Sequence, residues 1–297
     1  MRNIFKGTGI ALITPFNKSG GVDYESLRKL VNHCIGGGVD FLVILGTTAE
    51  TATLSEEEKV LVIETVIDTN KGALPLLLGI GDNDTQKVCT KIKKLNLSID
   101  GLLCVSPYYN KPSQEGIYQH FKIISENSKL PIVLYNVPGR TSSNMNAITT
   151  LRLAKDFDNI VAIKEASGNL EQVMEVIDKA PEGFDLLSGD DNLTLSIMAL
   201  GGKGVVSVNG QAFPSELSSM IDFCISGNIQ DARVIHYSLF KITKMLFQEG
   251  NPSGVKALLE YMKISCSNVR LPLWPVTNEL RESICNEAAR MGFKIHI

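Results

Sequence analysis

Lys164 is the residue whose type and position most clearly suggest chemistry. It ends the apolar run Ile160–Ile163 inside a predicted strand, where an unpaired ammonium would be costly to bury. Burial disfavours the charged form of a lysine, and the neutral amine can attack a carbonyl carbon. The strand pattern alone leaves two interpretations open. Lys164 could form a Schiff base, or it could reach the rim or pair with Glu165, although neighbouring strand residues point to opposite faces.

Four further groups follow short apolar runs and could assist such a reaction. Tyr135 could transfer protons in a dry pocket, or it could simply fill the core. Arg140 offers a planar fork to a carboxylate, but it could equally be a solvated loop residue. Thr47–Thr48 follow a glycine, where their amides and hydroxyls could hold an anion or cap a turn. Tyr108–Tyr109 could form an aromatic patch at a subunit contact.

Eight short runs of apolar and β-branched residues predict the strands that position these side chains. The runs are nearly continuous in apolar residues, which is typical of strands covered on both faces. They begin about 20 to 33 residues apart, so each interval can hold one helix and two short loops. The predicted strands are Gly9–Thr14, Phe41–Gly46, Leu74–Gly79, Gly101–Pro107, Ile132–Val137, Ile160–Glu165, Phe184–Ser188 and Gly204–Val208.

Eight such units could close into a barrel or lie open as a doubly wound sheet. The open sheet would call for a GxGxxG motif after an early strand, and Asp84 takes the place of the third glycine after Gly79 and Gly81. The number and spacing of the units favour an α/β fold of the (β/α)8 TIM-barrel type. Active residues of such barrels lie at the carboxyl ends of the strands, which is where the polar groups above are found.

Capping residues and apolar periodicity predict the helices. Ser55 and Glu58 have the spacing of a capping box, and further N-caps are predicted at Asp23, Asp84, Ser113, Asn146 and Asn169. After the last strand, helical patterns cover Pro214–Ser226, Ile229–Gln248, Gly254–Ile264 and Thr277–Met291. We therefore predict a barrel over residues 1–226 and a C-terminal helical extension over residues 227–297.

Composition excludes several other classes of protein. The net charge of −3, with scattered Lys and Arg, argues against a nucleic-acid partner. Six well-separated cysteines fit a reducing, cytoplasmic location, and no His or Cys spacing supports a metal site. The apolar runs are shorter than a membrane span, and residues 1–6 lack the apolar core of a signal peptide.

Taken together, five motifs resemble the dihydrodipicolinate synthase (4-hydroxy-tetrahydrodipicolinate synthase) family. The resemblance runs in order over essentially the whole chain and weakens near the C-terminus. The lysine strand and the first motif are shared with the wider superfamily of pyruvate-dependent class I aldolases, which includes N-acetylneuraminate lyase. The motifs are Gly46-Thr-Thr-Ala-Glu50, Pro107-Tyr-Tyr-Asn-Lys-Pro112, Tyr135-Asn-Val-Pro-Gly-Arg-Thr141, Ile163-Lys-Glu-Ala166 and Ser188-Gly-Asp-Asp191.

The resemblance implies a Schiff-base condensation of pyruvate with L-aspartate-4-semialdehyde, the committed step of lysine and diaminopimelate biosynthesis. It implies that Lys164 forms the imine with pyruvate and that no metal or other cofactor takes part. Tyr135, Thr47 and Tyr109 would relay protons, with Tyr109 supplied by a neighbouring subunit. A homo-oligomer is implied, commonly a tetramer built as a dimer of dimers. The implied substrate-binding residues are Thr48, Arg140, Gly189 and Val206.

Two departures from the family pattern affect these expectations. Ala49 replaces the glycine of the first motif, for which we expect only a small local change. Lysine-inhibited members place histidines and an acid around a cleft at the dimer interface, where this chain has Glu56, Lys59 and Lys87. Lys87 would repel the ammonium of a bound lysine. The cleft positions Thr51, Ala52, Asn83 and Tyr108 remain compatible with a vestigial site, so we expect weak or absent lysine inhibition.

Three alternative functions remain to be weighed. A related aldolase could use the same imine with another aldehyde, such as that of a sugar acid, and the role of Arg140 would discriminate this case. A phosphate-binding barrel is disfavoured because the glycine cluster Gly201–Gly204 precedes the eighth strand and should lie at the opposite rim. A non-catalytic barrel is disfavoured because all the expected catalytic residue types are present.

Overall fold

Eight parallel strands close into one barrel, in the order β1 to β8 around the ring. The computed structural model describes residues 3–292. All eight predicted runs overlap a strand, and the TIM-barrel fold class is confirmed. The largest difference is in the first strand, which begins and ends earlier than predicted. The strands are β1 (Gly7–Ala11), β2 (Phe41–Ile44), β3 (Leu76–Ile80), β4 (Gly101–Val105), β5 (Ile132–Asn136), β6 (Ile160–Glu165), β7 (Asp185–Ser188) and β8 (Gly204–Ser207).

Helices follow each strand, and three more come after the last βα unit. The division into residues 1–226 and 227–297 stays a prediction, and residues 1, 2 and 293–297 of those ranges lie outside the described part. The helices are α1 (Tyr24–Gly36), α2 (Glu56–Asn70), α3 (Thr85–Lys94), α4 (Gln114–Asn127), α5 (Pro138–Thr141), α6 (Ala147–Asp156), α7 (Leu170–Lys179), α8 (Thr194–Ala199), α9 (Pro214–Ile225), α10 (Ile229–Gln248), α11 (Ser253–Tyr261) and α12 (Asn278–Arg290).

The predicted N-caps are present at the starts of the barrel helices. The Ser55 hydroxyl accepts from the backbone N–H of Glu58, and the Glu58 carboxylate accepts from the backbone N–H of Ser55, which completes the capping box. The other five side chains also accept hydrogen bonds from the first turns of their helices. They are Asp23, Asp84, Ser113, Asn146 and Asn169. Local sequence therefore fixes where these helices begin.

Apolar side chains form two separate layers, one on each face of the sheet. The outer layer lies between the strands and the helices and includes Ile132, Leu134, Ile160 and Ile163. The inner layer fills the barrel, as expected for this fold. It includes Phe5, Phe41, Val43, Leu77, Leu103, Val133, Tyr135, Val161, Ala162, Leu187 and Val206. Each strand contributes alternate residues to the two layers, in keeping with the period of two along a strand.

Strand β6 breaks this alternation at one point. Val161 and Ala162 both belong to the inner layer, although they are consecutive. The register against β5 shifts at the same place, because Ile132 faces Ile160 whereas Val133 faces Ala162. Such a bulge adds one residue to a strand and changes which later side chains face inward. Beyond it, Lys164 lies at the register position of Tyr135.

A buried histidine lies between two of the outer helices. His120 on α4 places its Nδ1 2.8 Å from the hydroxyl of Thr85, at the start of α3. Its Nε2 is buried and has no hydrogen-bond partner among residues 3–292. Burial lowers the pKa of His120 to about 4, although the Asp82 carboxylate opposes this shift. The folded protein therefore holds this imidazole neutral at a pH where an unfolded chain would protonate it.

His120 should make the protein less stable as the pH falls from about 6.5 towards 4. In this window the unfolded chain binds a proton that the folded chain does not, so the free energy of unfolding should fall by about 3 kcal/mol. Urea denaturation at several pH values, at fixed protein concentration, measures this loss of free energy. In the His120→Gln variant the loss between pH 6.5 and pH 4 should be smaller by that amount. An unchanged loss would show that His120 does not control acid stability.

Candidate active site

A cavity of about 530 Å³ opens at the carboxyl ends of strands β2 to β5. Thr47, Tyr135 and Arg140 line it, and Tyr108 contributes at its edge. These residues follow or end different strands, so the barrel brings together side chains that are far apart in sequence. The cavity lies at the end of the barrel where this fold places active sites. Of the residues predicted from sequence, Thr47, Tyr135 and Arg140 therefore converge on one cavity.

Lys164 lies beside Tyr135, which lines the cavity, although Lys164 itself is not part of the cavity wall. Both side chains are buried, each with 6% of its surface exposed. The Lys164 Nζ lies 4.3 Å from the centroid of the Tyr135 ring, and the two residues face each other across β5 and β6. Within residues 3–292, no carboxylate forms an ion pair with Lys164. The amine thus lies in an apolar barrel interior beside a phenol.

Glu165 points away from Lys164, to the outer face of β6. Its carboxylate accepts hydrogen bonds from Asn136 Nδ2 at 3.0 and 3.1 Å, from Gln172 Nε2 at 2.9 Å and from the Ser167 backbone N–H at 2.7 Å. These donors satisfy the buried carboxylate without a cation. The interpretation in which Lys164 pairs with Glu165 is therefore wrong.

Gly189 leaves room for the Lys164 side chain. A β-carbon at Gly189 would lie 3.0 Å from Lys164 Cε and 2.7 Å from Ala166 Cβ, closer than ordinary carbon contacts. The Gly189 backbone N–H donates to the Glu165 carbonyl at 2.8 Å, which keeps the two segments together. Val206 on β8 is buried in the same inner layer as Tyr135. Both residues thus belong to the surroundings of the site, although neither lines the 530 Å³ cavity itself.

The Thr47–Ala49 segment forms a tight 3-10 turn. The flanking residues Leu45 and Glu50 have left-handed backbone conformations, with φ of 54° at each, which costs about 1–2 kcal/mol per residue. Ala49 is outside that region, so its β-carbon is accommodated, as expected. Thr47 is exposed to the cavity, whereas Thr48 is buried and its hydroxyl accepts a hydrogen bond from Asn251 Nδ2 at 2.9 Å.

Arg140 and Tyr109 lie at the periphery of the site. Arg140 belongs to the short helix α5, is exposed, and forms no ion pair with another residue of the described part. Tyr109 is 88% exposed, has a left-handed backbone with φ of 73°, and is not part of the cavity wall. Asn110 fixes this loop by donating from Nδ2 to the Asn83 carbonyl at 3.0 Å. The structure of one chain therefore brings all the predicted catalytic residues together except Tyr109.

Sequence reasoning missed a buried ion pair that supports the threonine turn. The Glu50 carboxylate lies 2.5 Å from Lys256 Nζ, and neither side chain has any exposed surface. Lys256 also donates to the Asn268 carbonyl at 2.9 Å and lies 4.2 Å from the Phe16 ring centroid. Burial lowers the pKa of Lys256 to about 8, while Glu50 opposes the shift. Lys256 therefore remains charged at neutral pH.

Arg270 extends this network towards the surface. Its backbone N–H donates to the second oxygen of Glu50 at 2.9 Å. Its guanidinium donates to both oxygens of Glu58, at 2.5 and 2.7 Å, and these hydrogen bonds hold the pKa of Glu58 at about 2. The turn that carries Thr47 and Thr48 is thus attached to α2, to α11 and to the segment after α11. One signal for this network was available in sequence, namely a single lysine within the apolar run of α11.

Other predicted features are placed as follows. Lys59 lines the outer part of the cavity and pairs with Glu56 at 2.7 Å, whereas Lys87 is exposed and does not line it. The glycine cluster Gly201–Gly204 leads into β8, whose first residue is Gly204, and so lies at the opposite end of the barrel from the cavity. Among residues 3–292, no group of three His, Cys, Asp or Glu side chains could hold a metal ion, and no helix is long and apolar enough to cross a membrane.

Comparison with known proteins identifies the family. A model of the "Dihydrodipicolinate synthetase family" matches residues 4–290. The chain belongs to this family. A 4-hydroxy-tetrahydrodipicolinate synthase of Flavobacterium psychrophilum is 51% identical over 277 residues, which cover 93% of this chain and 94% of that protein. One of Parabacteroides distasonis is 49% identical over 290 residues, which cover 97% and 98%.

Solved structures of the dihydrodipicolinate synthetase family have the same fold. Chloride-inhibited dihydrodipicolinate synthase from Acinetobacter baumannii, complexed with pyruvate, is 38% identical with a TM-score of 0.95, and the match covers 98% of this chain and 100% of that one. The predicted family and its enzyme class, an aldolase-type lyase, are therefore confirmed. The individual site residues stay predictions, and the geometry above is what supports them.

Breaking the Glu50–Lys256 pair should destabilise the fold strongly. Lys256→Met leaves a buried carboxylate without its cation, which should lower the free energy of unfolding by about 3–5 kcal/mol. The double variant Glu50→Gln/Lys256→Met removes both charges and should recover most of this loss. Urea denaturation at one protein concentration compares the variants.

Arg28→Met provides a matched control, because Arg28 and Glu25 form an exposed pair with a 3.9 Å separation. This change should alter the free energy of unfolding by less than about 1 kcal/mol. If Lys256→Met were as mild as the control, or if the double variant were no better than the single one, the buried pair would not have the structural importance assigned to it.

Proposed function

We propose that this chain condenses pyruvate with L-aspartate-4-semialdehyde, as a 4-hydroxy-tetrahydrodipicolinate synthase of lysine and diaminopimelate biosynthesis. The single observation that carries the proposal is the position of Lys164, buried in the barrel beside Tyr135 and without a carboxylate partner. A lysine amine in an apolar pocket is suited to Schiff-base formation. The family membership and the printed names of the relatives support this reaction.

In the proposed mechanism, Lys164 Nζ attacks the carbonyl carbon of pyruvate and water leaves, which forms the imine. Loss of a methyl proton gives the enamine, whose carbon attacks the aldehyde carbon of the second substrate. Attack by that substrate's own amine on the imine carbon then releases Lys164 and closes the ring. We assign proton transfer at the amine to Tyr135, because its ring centroid lies 4.3 Å from Lys164 Nζ. No step needs a metal or another cofactor.

The substrate carboxylates require donors, and we assign these to two places. Thr47 and Thr48 would hold the pyruvate carboxylate, because their turn follows β2 directly at the wall of the cavity. Arg140 would bind the carboxylate of the semialdehyde, because its guanidinium is exposed at the cavity wall and has no acidic partner in the described part. Gly189 and Val206 would complete the surroundings of Lys164.

Tyr109 would complete the proton relay in a neighbouring subunit. The exposure of its phenol, outside the wall of its own cavity, supports donation to a partner. We therefore infer a homo-oligomer in which a dimer is the smallest active unit, and a tetramer built as a dimer of dimers. The six free cysteines, three of them buried, support a reducing cytoplasm as its location. Weak or absent inhibition by lysine stays a prediction from Glu56, Lys59 and Lys87, of which Lys59 lines the cavity but pairs with Glu56, and Lys87 does not line it.

Reduction with borohydride in the presence of pyruvate tests the imine. We expect a pyruvyl adduct on the peptide that carries Lys164, measured by intact mass and peptide mapping. Lys164→Ala should abolish the adduct, whereas the exposed Lys155→Ala should leave it unchanged. Absence of the adduct from the folded wild-type protein would rule out the imine mechanism and favour a non-catalytic role.

Arg140→Ala separates the proposed reaction from that of another pyruvate aldolase. Loss of a charge-assisted contact should lower kcat/KM for the semialdehyde by about 10- to 100-fold, while pyruvate still forms the adduct on Lys164. The exposed Arg233→Ala should change neither quantity. Equal loss of adduct formation and semialdehyde use would contradict the role given to Arg140, and unimpaired use of the semialdehyde would point to a different aldehyde.

A further inference from the structure

Asn251 joins the C-terminal helices to the threonine turn of the site. It follows α10, lines the cavity and has only 8% of its surface exposed. Its Nδ2 donates a hydrogen bond of 2.9 Å to Thr48 Oγ1, across 203 positions of sequence. Its Oδ1 is buried and has no hydrogen-bond partner among residues 3–292. A buried polar atom without a partner is unfavourable, so the hydrogen bond to Thr48 is what offsets the burial of this amide among residues 3–292.

The direction of this hydrogen bond determines what the Thr48 hydroxyl can do. A hydroxyl has one hydrogen and two acceptor lone pairs. Because the Asn251 amide nitrogen is only a donor, Thr48 Oγ1 uses a lone pair in this contact and keeps its hydrogen for another acceptor. A carboxylate is an acceptor only. The contact with Asn251 thus leaves the Thr48 hydroxyl free to donate its hydrogen to a carboxylate.

The same short segment also fixes the other end of the turn. Lys256 lies one turn into α11 and pairs with Glu50, two residues after Thr48. The pair holds the turn in place, while Asn251 acts on the hydroxyl of Thr48. The two contacts therefore have separable effects. The ion pair acts on the backbone position of the turn, and Asn251 acts on whether the Thr48 hydroxyl donates or accepts.

We infer that Asn251 is a positioning residue for pyruvate binding, acting through Thr48 on the pyruvate carboxylate. This inference rests on the proposed function, in which Thr48 helps to hold that carboxylate. Asn251 itself need not touch the substrate, and it is assigned no part in proton transfer or bond formation.

The test measures the pyruvate concentration that gives half-maximal borohydride trapping at Lys164, with no aldehyde present. Loss of one hydrogen bond should raise this concentration by about 3- to 10-fold in Asn251→Ala. Asn251→Asp should raise it by about 10-fold or more, because the new carboxylate accepts the Thr48 hydrogen and repels the anionic substrate. The maximal extent of trapping should change little in either variant.

A double-variant comparison shows whether Asn251 acts through Thr48. Thr48→Val should itself weaken pyruvate binding, and adding Asn251→Ala to it should weaken binding by less than about 2-fold more. Asn127→Ala serves as the matched control, because Asn127 Nδ2 bonds only within α4, to the Ile123 carbonyl. Thermal unfolding of every variant separates weak binding from loss of fold, and Asn251→Asp keeps the test possible if the alanine variant does not fold.

Four results would overturn the inference. If Asn251→Asp needed only the wild-type pyruvate concentration for half-maximal trapping, Asn251 would accept from Thr48 rather than donate to it. If Asn251→Ala raised the half-saturating pyruvate concentration by the same factor with and without Thr48→Val, Asn251 would not act through Thr48. Absence of trapping in the wild-type chain would remove the proposed function and this inference with it, whereas normal wild-type trapping with unaffected variants would remove this inference alone.

Discussion

The site depends on the phase of strand β6, because that phase determines which way Lys164 points. With strict alternation from Ile160, which faces the helices, Lys164 would also face them. The two consecutive inward residues Val161 and Ala162 shift the phase by one, so Lys164 enters the barrel and Glu165 leaves it. Glu165 then accepts hydrogen bonds from the side-chain amides of Asn136 and Gln172. Lys164 lies beside Tyr135 and Gly189. One extra residue in the strand thus turns Lys164 into the barrel, while ordinary alternation keeps Glu165 on the opposite face.

A second constraint acts on the turn after β2. Leu45 and Glu50 adopt left-handed backbones there, and such conformations persist only where the surrounding structure enforces them. At Glu50, the buried ion pair with Lys256 and the Arg270 backbone N–H provide that enforcement. The cost of desolvating both charges is high, so the pair is better understood as fixing one geometry than as adding stability. The threonines that it positions are the proposed donors for a carboxylate.

The sequence was sufficient wherever structure is decided by neighbouring residues. The eight strands, the capping box of Ser55 and Glu58, and the start of each capped helix follow from apolar periodicity and local hydrogen bonding. Alternation excludes Glu165 as a partner of Lys164, as predicted, but it does not by itself turn Lys164 inward. The bulge, the Glu50–Lys256 pair and the Asn251 contact depend on packing between distant segments. Residue type alone gives little sign of such contacts, beyond one lysine in the apolar run of α11.

These distant contacts bear on how the chain is divided. The predicted division assigns residues 227–297 to an extension of a complete barrel. Yet Lys256, Arg270 and Asn251 belong to the extension, and their partners Glu50, Glu58 and Thr48 follow β2. A barrel without the extension would keep a carboxylate among apolar groups with no cation, and it would lose the donor to Thr48. Because an unpaired buried charge costs several kcal/mol, the βα units and the last helices are best regarded as one cooperative unit. The two sequence ranges then describe the order of elements along the chain rather than independent domains.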